Sequence, residues 1–176
     1  HIIFNNWSNG DSNSTTTVIS DTNTSITANY ARKPSEVTLA VSTIDIDGKT
    51  QFGGVGGFIS PNSISGKKVG ESIDLSASDN TGFQFQMWIV DENITHASRS
   101  LNLKLEENQT ISAVFKRLSY RVNLASTPLV GGSIFADVGT TAQAQSLVVG
   151  YGDEIKISAL STEAYQFEKW SGNGLG

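Results

Sequence analysis

The chain has 176 residues, 12 of them Lys or Arg against 17 Asp or Glu, for a net charge of -5 and a pI near 4.9. That balance offers no basic footprint for phosphate groups and argues against nucleic acid or an anionic membrane surface as a partner. The absence of Cys excludes a disulfide framework and a thiolate metal site, and leaves His1 and His96 as the only imidazoles.

No apolar run approaches the length needed to cross a bilayer. The first residues show neither an initiator Met nor a charged-then-apolar signal, so the sequence reads as an excerpt. Enrichment in Ser, Thr, Asn and Gly with sparse Lys points to an extracellular bacterial surface protein.

The chain opens on HIIFNNW, with Ile2, Phe4 and Trp7. An alternating run at Thr16 and Val18, a polar turn SDTN and then TSITANY (24 to 30) predict a hairpin. SEVTLAV (35 to 41) predicts the next strand. IDIDGKT (44 to 50) places Asp45 and Asp47 before Gly48 like the start of a calcium loop, but no further ligand follows at the required spacing. Asp-Gly is instead a strong type I′ hairpin signal. QFGGVGGF (51 to 58) lacks the Lys-Ser/Thr ending and the following helix of a phosphate loop, so its glycines serve a turning connection.

A short strand GGFIS (56 to 60) follows, then GESIDLSA (70 to 77), where Ile73, Leu75 and Ala77 alternate as in a half-buried strand. TGFQFQMWIV (81 to 90) carries Phe83, Phe85 and Trp88. The odd spacing from Phe85 to Trp88 requires a bulge or turn if both rings are to face one core. Leu101, Leu103 and Leu105, the turn EENQ and QTISAVF (109 to 115) predict a second hairpin. The pattern then restarts with YRVNLAS (120 to 126), GGSIF (131 to 135), GDEIKISA (152 to 159) and EAYQFEKWSG, which carries Tyr165, Phe167 and Trp170.

Trp7, Trp88 and Trp170 therefore recur at steps of 81 and 82 residues, each with its flanks in register. Recurrence marks a structural unit rather than a single ligand site. Residues 1–34 read as the C-terminal half of a repeat, 35–118 as a complete repeat and 119–176 as the N-terminal part of another. The expected fold is all-β, in tandem small modules of about six short strands, with little helix. Phe4, Trp7, Phe83, Phe85, Trp88, Tyr165, Phe167 and Trp170 are the expected structural core, because a cysteine-free unit of this size needs a few rings of large buried area.

The order strand, Gly-Gly turn, strand, G-[ED]-x-I-x-[LI]-x-A, aromatic-x-Phe-x-x-Trp, strand and T-I-[ST]-A-x-[FY] resembles the divergent internalin B-repeat family, also called the bacterial repeat domain. The resemblance covers essentially the whole chain and implies tandem all-β modules of bacterial surface and secreted proteins. A grasp-like sheet, as in internalin repeats, is among the arrangements it implies. The central copy departs from the family in reading MWIVDEN where Trp-Ser-Gly is usual, in the insertion DIDGKTQFGG (45 to 54), and the last copy in its longer VGTTAQAQSLVVGYG (138 to 152).

Chemistry is sparse. The carboxylate pairs Asp91-Glu92 and Glu106-Glu107 have no His or basic activator beside them, and His96 has no companion ligand, so no catalytic, cofactor or metal residue is assigned. The sequons at Asn6, Asn13, Asn23, Asn93 and Asn108 follow from composition. The expected role is a non-catalytic stalk, spacer or adhesive segment, extracellular or on the cell surface. Its partners would be neighbouring repeats and a surface glycan or cell-surface receptor, and the incomplete terminal repeats would allow self-association. The alternative is a carbohydrate-binding module accessory to a polysaccharide-degrading enzyme, with Phe52, Phe58 and Tyr151 as ligand-facing rings. An enzyme acting through Asp91, Glu92 or His96 is the third reading.

Overall fold

The computed structural model describes residues 2–19, 23–137, 141–142 and 146–172. Among them are fifteen strands and a single 3-10 turn, Leu129–Gly131, and no α-helix. The chain divides into two compact units, one of His1–Ile44 with Thr50–Lys116 and one of Asp45–Lys49 with Arg117–Gly176.

The first unit holds β1 (Ile2–Trp7), β2 (Ala28–Arg32), β3 (Val37–Ile44), β4 (Thr50–Phe52), β5 (Gly57–Ser60), β6 (Ser72–Asp79), β7 (Phe83–Val90), β8 (Ile94–His96), β9 (Ser100–Lys104) and β10 (Gln109–Arg117). The second holds β11 (Ser119–Asn123), β12 (Gly132–Asp137), β13 (Thr141–Ala142), β14 (Ser146–Gly150) and β15 (Lys156–Ser161).

In the first unit a five-stranded sheet runs β4-β3-β10-β7-β8, and β3 and β10 lie parallel at its centre, from Gln109 opposite Val37 to Lys116 opposite Ile44. The antiparallel pairs β3-β4 and β7-β8 flank that centre. A parallel central pair with a hairpin on each side is a grasp-like arrangement. Here a second sheet, β5-β6-β9, contributes the other side of the core. Ile59, Ile73, Leu75, Ala77 and Leu101 from the smaller sheet are buried with Phe85, Trp88, Val90, Ile111, Ala113 and Phe115 from the larger one. The alternation that predicts β6 is the face it buries, Ile73, Leu75 and Ala77, with Asp74 and Ser76 outward.

Two expectations change. Residues 35–118 carry eight strands instead of about six, since β4 and β8 are three residues each and too short to show an alternation in sequence. More importantly, Leu101 to Phe115 is not a hairpin: β9 pairs with β6 and β10 with β3. The turn after Leu105 crosses from one layer to the other, so Leu101 and Ile111 meet across the core instead of side by side. The hairpin expected from Thr16 and Val18 is likewise absent. Residues 16–19 are not in a strand, the expected turn at 20–23 falls largely outside the described residues, and β2 pairs with β1.

The odd spacing of the aromatic motif is resolved by a bulge in β1. Phe4 lies opposite Tyr30, but Asn6 then lies opposite Asn29 and Trp7 opposite Ala28. One extra residue turns Trp7 back to the side of Phe4. In β7 the outcome is the same, with Phe85, Trp88 and Val90 all buried. Trp88 is fully buried, and its indole Nε1 donates to Ser98 O at 2.9 Å, so the ring brings no unpaired polar atom into the core.

The recurring diglycines have a steric cause. A Cβ on Gly57 would collide with the Ser78 carbonyl and the Phe115 ring, and one on the corresponding Gly132 would collide with the Leu160 carbonyl. In each unit glycine lets the short strand lie close on its antiparallel neighbour, β5 on β6 and β12 on β15. The turn at Asp45 to Lys49 also differs from expectation. Only Gly48 has positive φ, at 83°, and Gly48 N donates to Asp45 O, which is a three-residue loop with a left-handed glycine and not a type I′ turn.

The second unit is made of the pair β11-β14 and the sheet β13-β12-β15. Its buried core is small, Ala136, Leu147 and Val149, against which Val122, Leu124, Ile155 and Ile157 pack partly buried.

Replacing Trp88 by Ala removes a fully buried indole and is expected to cost about 3 to 5 kcal/mol, read as a collapse of the first unit's melting transition. Gly57→Ala is expected to cost about 1 to 3 kcal/mol through overpacking. Unchanged thermal melts for either variant would refute these accounts.

Candidate functional site

The aromatic motif has one geometry in all three copies. The ring centroids of Phe4 and Trp7 are 5.4 Å apart at 56°, those of Phe85 and Trp88 5.7 Å at 59°, and those of Phe167 and Trp170 5.2 Å at 56°. A third ring meets the phenylalanine edge-on in two copies: Tyr30 on Phe4 at 5.9 Å and Phe115 on Phe85 at 5.7 Å. The tryptophan anchor also repeats, with Trp7 Nε1 donating to Asn13 O at 2.9 Å as Trp88 does to Ser98. Local sequence thus sets the ring pair, and the surroundings set its burial.

That burial differs sharply. Phe85 and Trp88 lie in the core, Phe83 packs against it partly buried, and Phe4 and Trp7 are half-buried. Tyr165, Phe167 and Trp170 are exposed, Trp170 by 36%, which departs from the core role expected of them. The cause lies in the cover. In the first unit Leu101, Leu105, Ile111, Ala113 and Phe115, downstream of Trp88, close the core. Tyr165 to Trp170, by contrast, lie in no strand and under no second sheet among the described residues.

The exposed rings line a cavity of about 360 Å³ together with Pro128, Ile134 and Leu160, with Gln166, Glu168 and Lys169 at its polar side. Flat rings beside hydrogen-bonding groups can take up an apolar side chain or the face of a sugar ring. Of the three rings expected to face a ligand, Phe58 is exposed on the outer face of β5, and Tyr151 is exposed in the turn after β14. Phe52 belongs to β4, and its side chain lies outside the described residues. Phe58 and Tyr151 belong to different units.

The charged candidates are occupied by the fold. Asp91 and Glu92 have φ of 48° and 66°, two consecutive left-handed residues, and Asn93 N donates to Val90 O across them. This is how the central copy turns after its tryptophan without the usual glycine. The strain is held by β10: Asp91 Oδ1 accepts from Thr110 N at 2.8 Å and Oδ2 from Gln109 Nε2 at 3.2 Å. Glu106 and Glu107 sit in the exposed turn before β10, where Glu107 O accepts from the Ser35 hydroxyl. His96 pairs opposite Trp88, and its Nε2 is buried without a hydrogen-bond partner. Asp47 is paired with Lys49 at 2.7 Å, and Asp45 Oδ1 accepts from Ile46 N and Arg117 Nη1. Among the described residues no three His, Asp or Glu side chains converge to hold a metal ion.

Two ionic clusters escaped the sequence reading. Arg99 grips Asp79 with two bonds of 2.7 Å, lies 5.7 Å from the Phe85 ring centroid, and Asp79 Oδ1 also accepts from Phe85 N. The Arg99 guanidinium, then the Phe85 amide, hold the Asp79 carboxyl below its ordinary value. In the second unit Arg117 bonds Asp153, Asp45 and the Tyr151 carbonyl, and Asp153 in turn accepts from Gly150 N. The Gly150 amide first and Arg117 second lower the Asp153 carboxyl. Both pairs join residues 20 and 36 positions apart, a separation at which no sequence periodicity links them.

The family model of the divergent InlB B-repeat domain matches two segments, residues 50–119 and 122–176, together more than half of the chain. No curated protein and no solved structure is similar enough to match. Among the described residues no helix is long and apolar enough to cross a membrane.

The depressed Asp79 carboxyl makes stability depend on pH in a defined direction. Its contribution is fully present above the ordinary value of 3.8 and is lost as pH falls through the lower native value. Asp79→Asn is therefore expected to lower the melting temperature at neutral pH and to leave a flatter decline below pH 3.8 than in the parent. Parallel melting-temperature profiles would contradict this.

Proposed function

Because the chain belongs to the divergent InlB B-repeat domain family, we propose that it is a non-catalytic segment of a bacterial cell-surface or secreted protein that acts as a stalk, spacer or adhesive module. One observation carries the reading. The groups able to do chemistry, Asp45, Asp79, Asp91, Arg99, Arg117 and Asp153, are engaged in holding turns and strands. A repeat that uses these charged side chains on its own architecture and buries Phe85, Trp88 and Phe115 in its first unit is suited to setting distance. An acidic chain carrying a net charge of -5 keeps such a segment soluble. Its partners in this reading are neighbouring repeats and, for an adhesive role, a glycan or receptor at another surface.

The cavity beside Tyr165, Phe167 and Trp170 favours the second reading, a carbohydrate-binding module, because exposed rings of this kind stack on sugars. Trp170 tells the two apart. In the variant Trp7→Phe/Trp88→Phe, its fluorescence is expected to stay quenchable by acrylamide whatever polysaccharide is added. Protection by one glycan, abolished by Phe167→Ala without a change in melting, would replace the spacer reading with the carbohydrate-binding one.

A further inference from the structure

The sheet β5-β6-β9 buries one face, and the residues on its other face are not needed for the core. Strand pairing sets them in rows. Phe58 lies beside Ser78, and Ser60, Ser76 and Ser100 lie abreast in the next row. Asp74 with Asn102 and Ser72 with Lys104 make the last two. All are exposed except Ser78, which is half-buried. Successive rows are about 6.8 Å apart and neighbouring strands about 4.8 Å, so the face is roughly 20 Å long and 10 Å wide.

Its chemistry is uniform. Phe58 stands 55% exposed at one end and Lys104 lies at the other, and every other position is Ser, Asp or Asn. Asn102 Nδ2 donates to Asp74 Oδ1 at 2.7 Å, which fixes both groups on the face. Among the described residues no protein group bonds Asp74 Oδ2, Asn102 Oδ1 or the hydroxyls of Ser60, Ser72 and Ser100. Side chains this short lose little rotamer freedom when a ligand immobilises them.

The second unit shows that the fold does not impose this composition. Its corresponding strands pair in the same register, with Ser133 opposite Leu160 where Phe58 is opposite Ser78, and Phe135 opposite Ser158 where Ser60 is opposite Ser76. Lys156 stands in GDEIKISA where Asp74 stands in GESIDLSA. The scaffold therefore accepts a cation and a leucine at these positions, and the field of short polar groups is particular to the first unit.

We propose that this face binds a neutral polysaccharide laid along β6, with Phe58 stacked on a sugar ring at one end and the Asp74-Asn102 pair bonding hydroxyls further along. Such a site rests on the adhesive role proposed above, in which the partner is a glycan, and sets that glycan in the first unit instead of in the cavity at Trp170. Charge selects the class of ligand. One carboxylate and one ammonium leave the face neutral, so it has no field to hold a polyanion. A protein partner fits less well, because interface centres are rich in aromatic, Met and Arg side chains and poor in Ser and Asp, and here the one ring is at the margin. A sugar hydroxyl both donates and accepts, which suits a surface that mixes hydroxyl, amide and carboxylate.

Affinity electrophoresis of the 176-residue chain tests the site, in gels holding hydroxyethylcellulose, xyloglucan or galactomannan, with polygalacturonate as the anionic control. At least one neutral gel is expected to retard the chain, and polygalacturonate is expected not to. Phe58→Ser/Asp74→Lys/Ser78→Leu installs what the second unit carries at these positions. This variant is expected to melt as the parent does and to lose the retardation, whereas Phe167→Ala keeps it. Asn102→Ala, a single exposed change, is expected to weaken binding several-fold and decides the matter if the triple variant unfolds. Unchanged retardation of a folded triple variant or of Asn102→Ala, or retardation lost only with Phe167→Ala, would overturn the site and leave the glycan partner standing. Retardation by polygalacturonate above that of every neutral gel would overturn the ligand class. No retardation in any neutral gel would overturn both the site and the glycan partner.

Discussion

The fully buried indole of Trp88 is the contact on which the first unit turns. A cysteine-free repeat of about 80 residues must obtain its stability from burial alone, and a unit that small buries a modest share of its surface. An indole supplies a large buried area, and its one polar atom must be paired at the same time. The Ser98 carbonyl does this, Phe85 packs on the indole with ring centroids 5.7 Å apart, and Phe115 meets Phe85 edge-on at 5.7 Å. The other features of the repeat serve this centre. The change of facing between Phe85 and Trp88 aims the ring inward, the close approach allowed by Gly56 and Gly57 brings β5 onto Phe115, and the turn at Asp91, tethered to β10 through Thr110, leads the chain into β8 alongside β7.

The Phe-Trp pair keeps its separation and tilt whether it is buried, half-buried or exposed. Its geometry is therefore local, since it is the same in β1, in β7 and outside any strand at Phe167 and Trp170, and requires no core around it. Burial is a separate event that depends on strands far along the chain: β10 reaches β3 across about seventy residues. The same motif can thus end as a core or as a surface, which is why an aromatic motif in a repeat protein does not by itself name a binding site.

Electrostatics follows a similar division of labour. Asp79 with Arg99, and Arg117 with Asp153 and Asp45, are partly exposed links whose Coulomb term is modest in water. Their value lies in geometry. The bidentate Arg99 grip and the amide bonds to Asp79 and Asp153 fix where a strand begins or a turn closes.

The amino-acid sequence alone determined the all-β class, the presence of a tandem repeat and the buried alternation of β6. Each of these rests on local periodicity or on self-similarity at 81 and 82 residues, which a linear reading can see. Tertiary structure decided which strands became neighbours. Leu101 to Phe115 reads as a hairpin, but both strands are amphipathic and compatible with either of two sheets. Pairing of β9 with β6 and β10 with β3 won because it places both apolar faces against one core. It likewise decided that Trp88 is inside and Trp170 exposed: Trp88 sits in β7 within the core shared by two sheets, whereas Trp170 belongs to no strand.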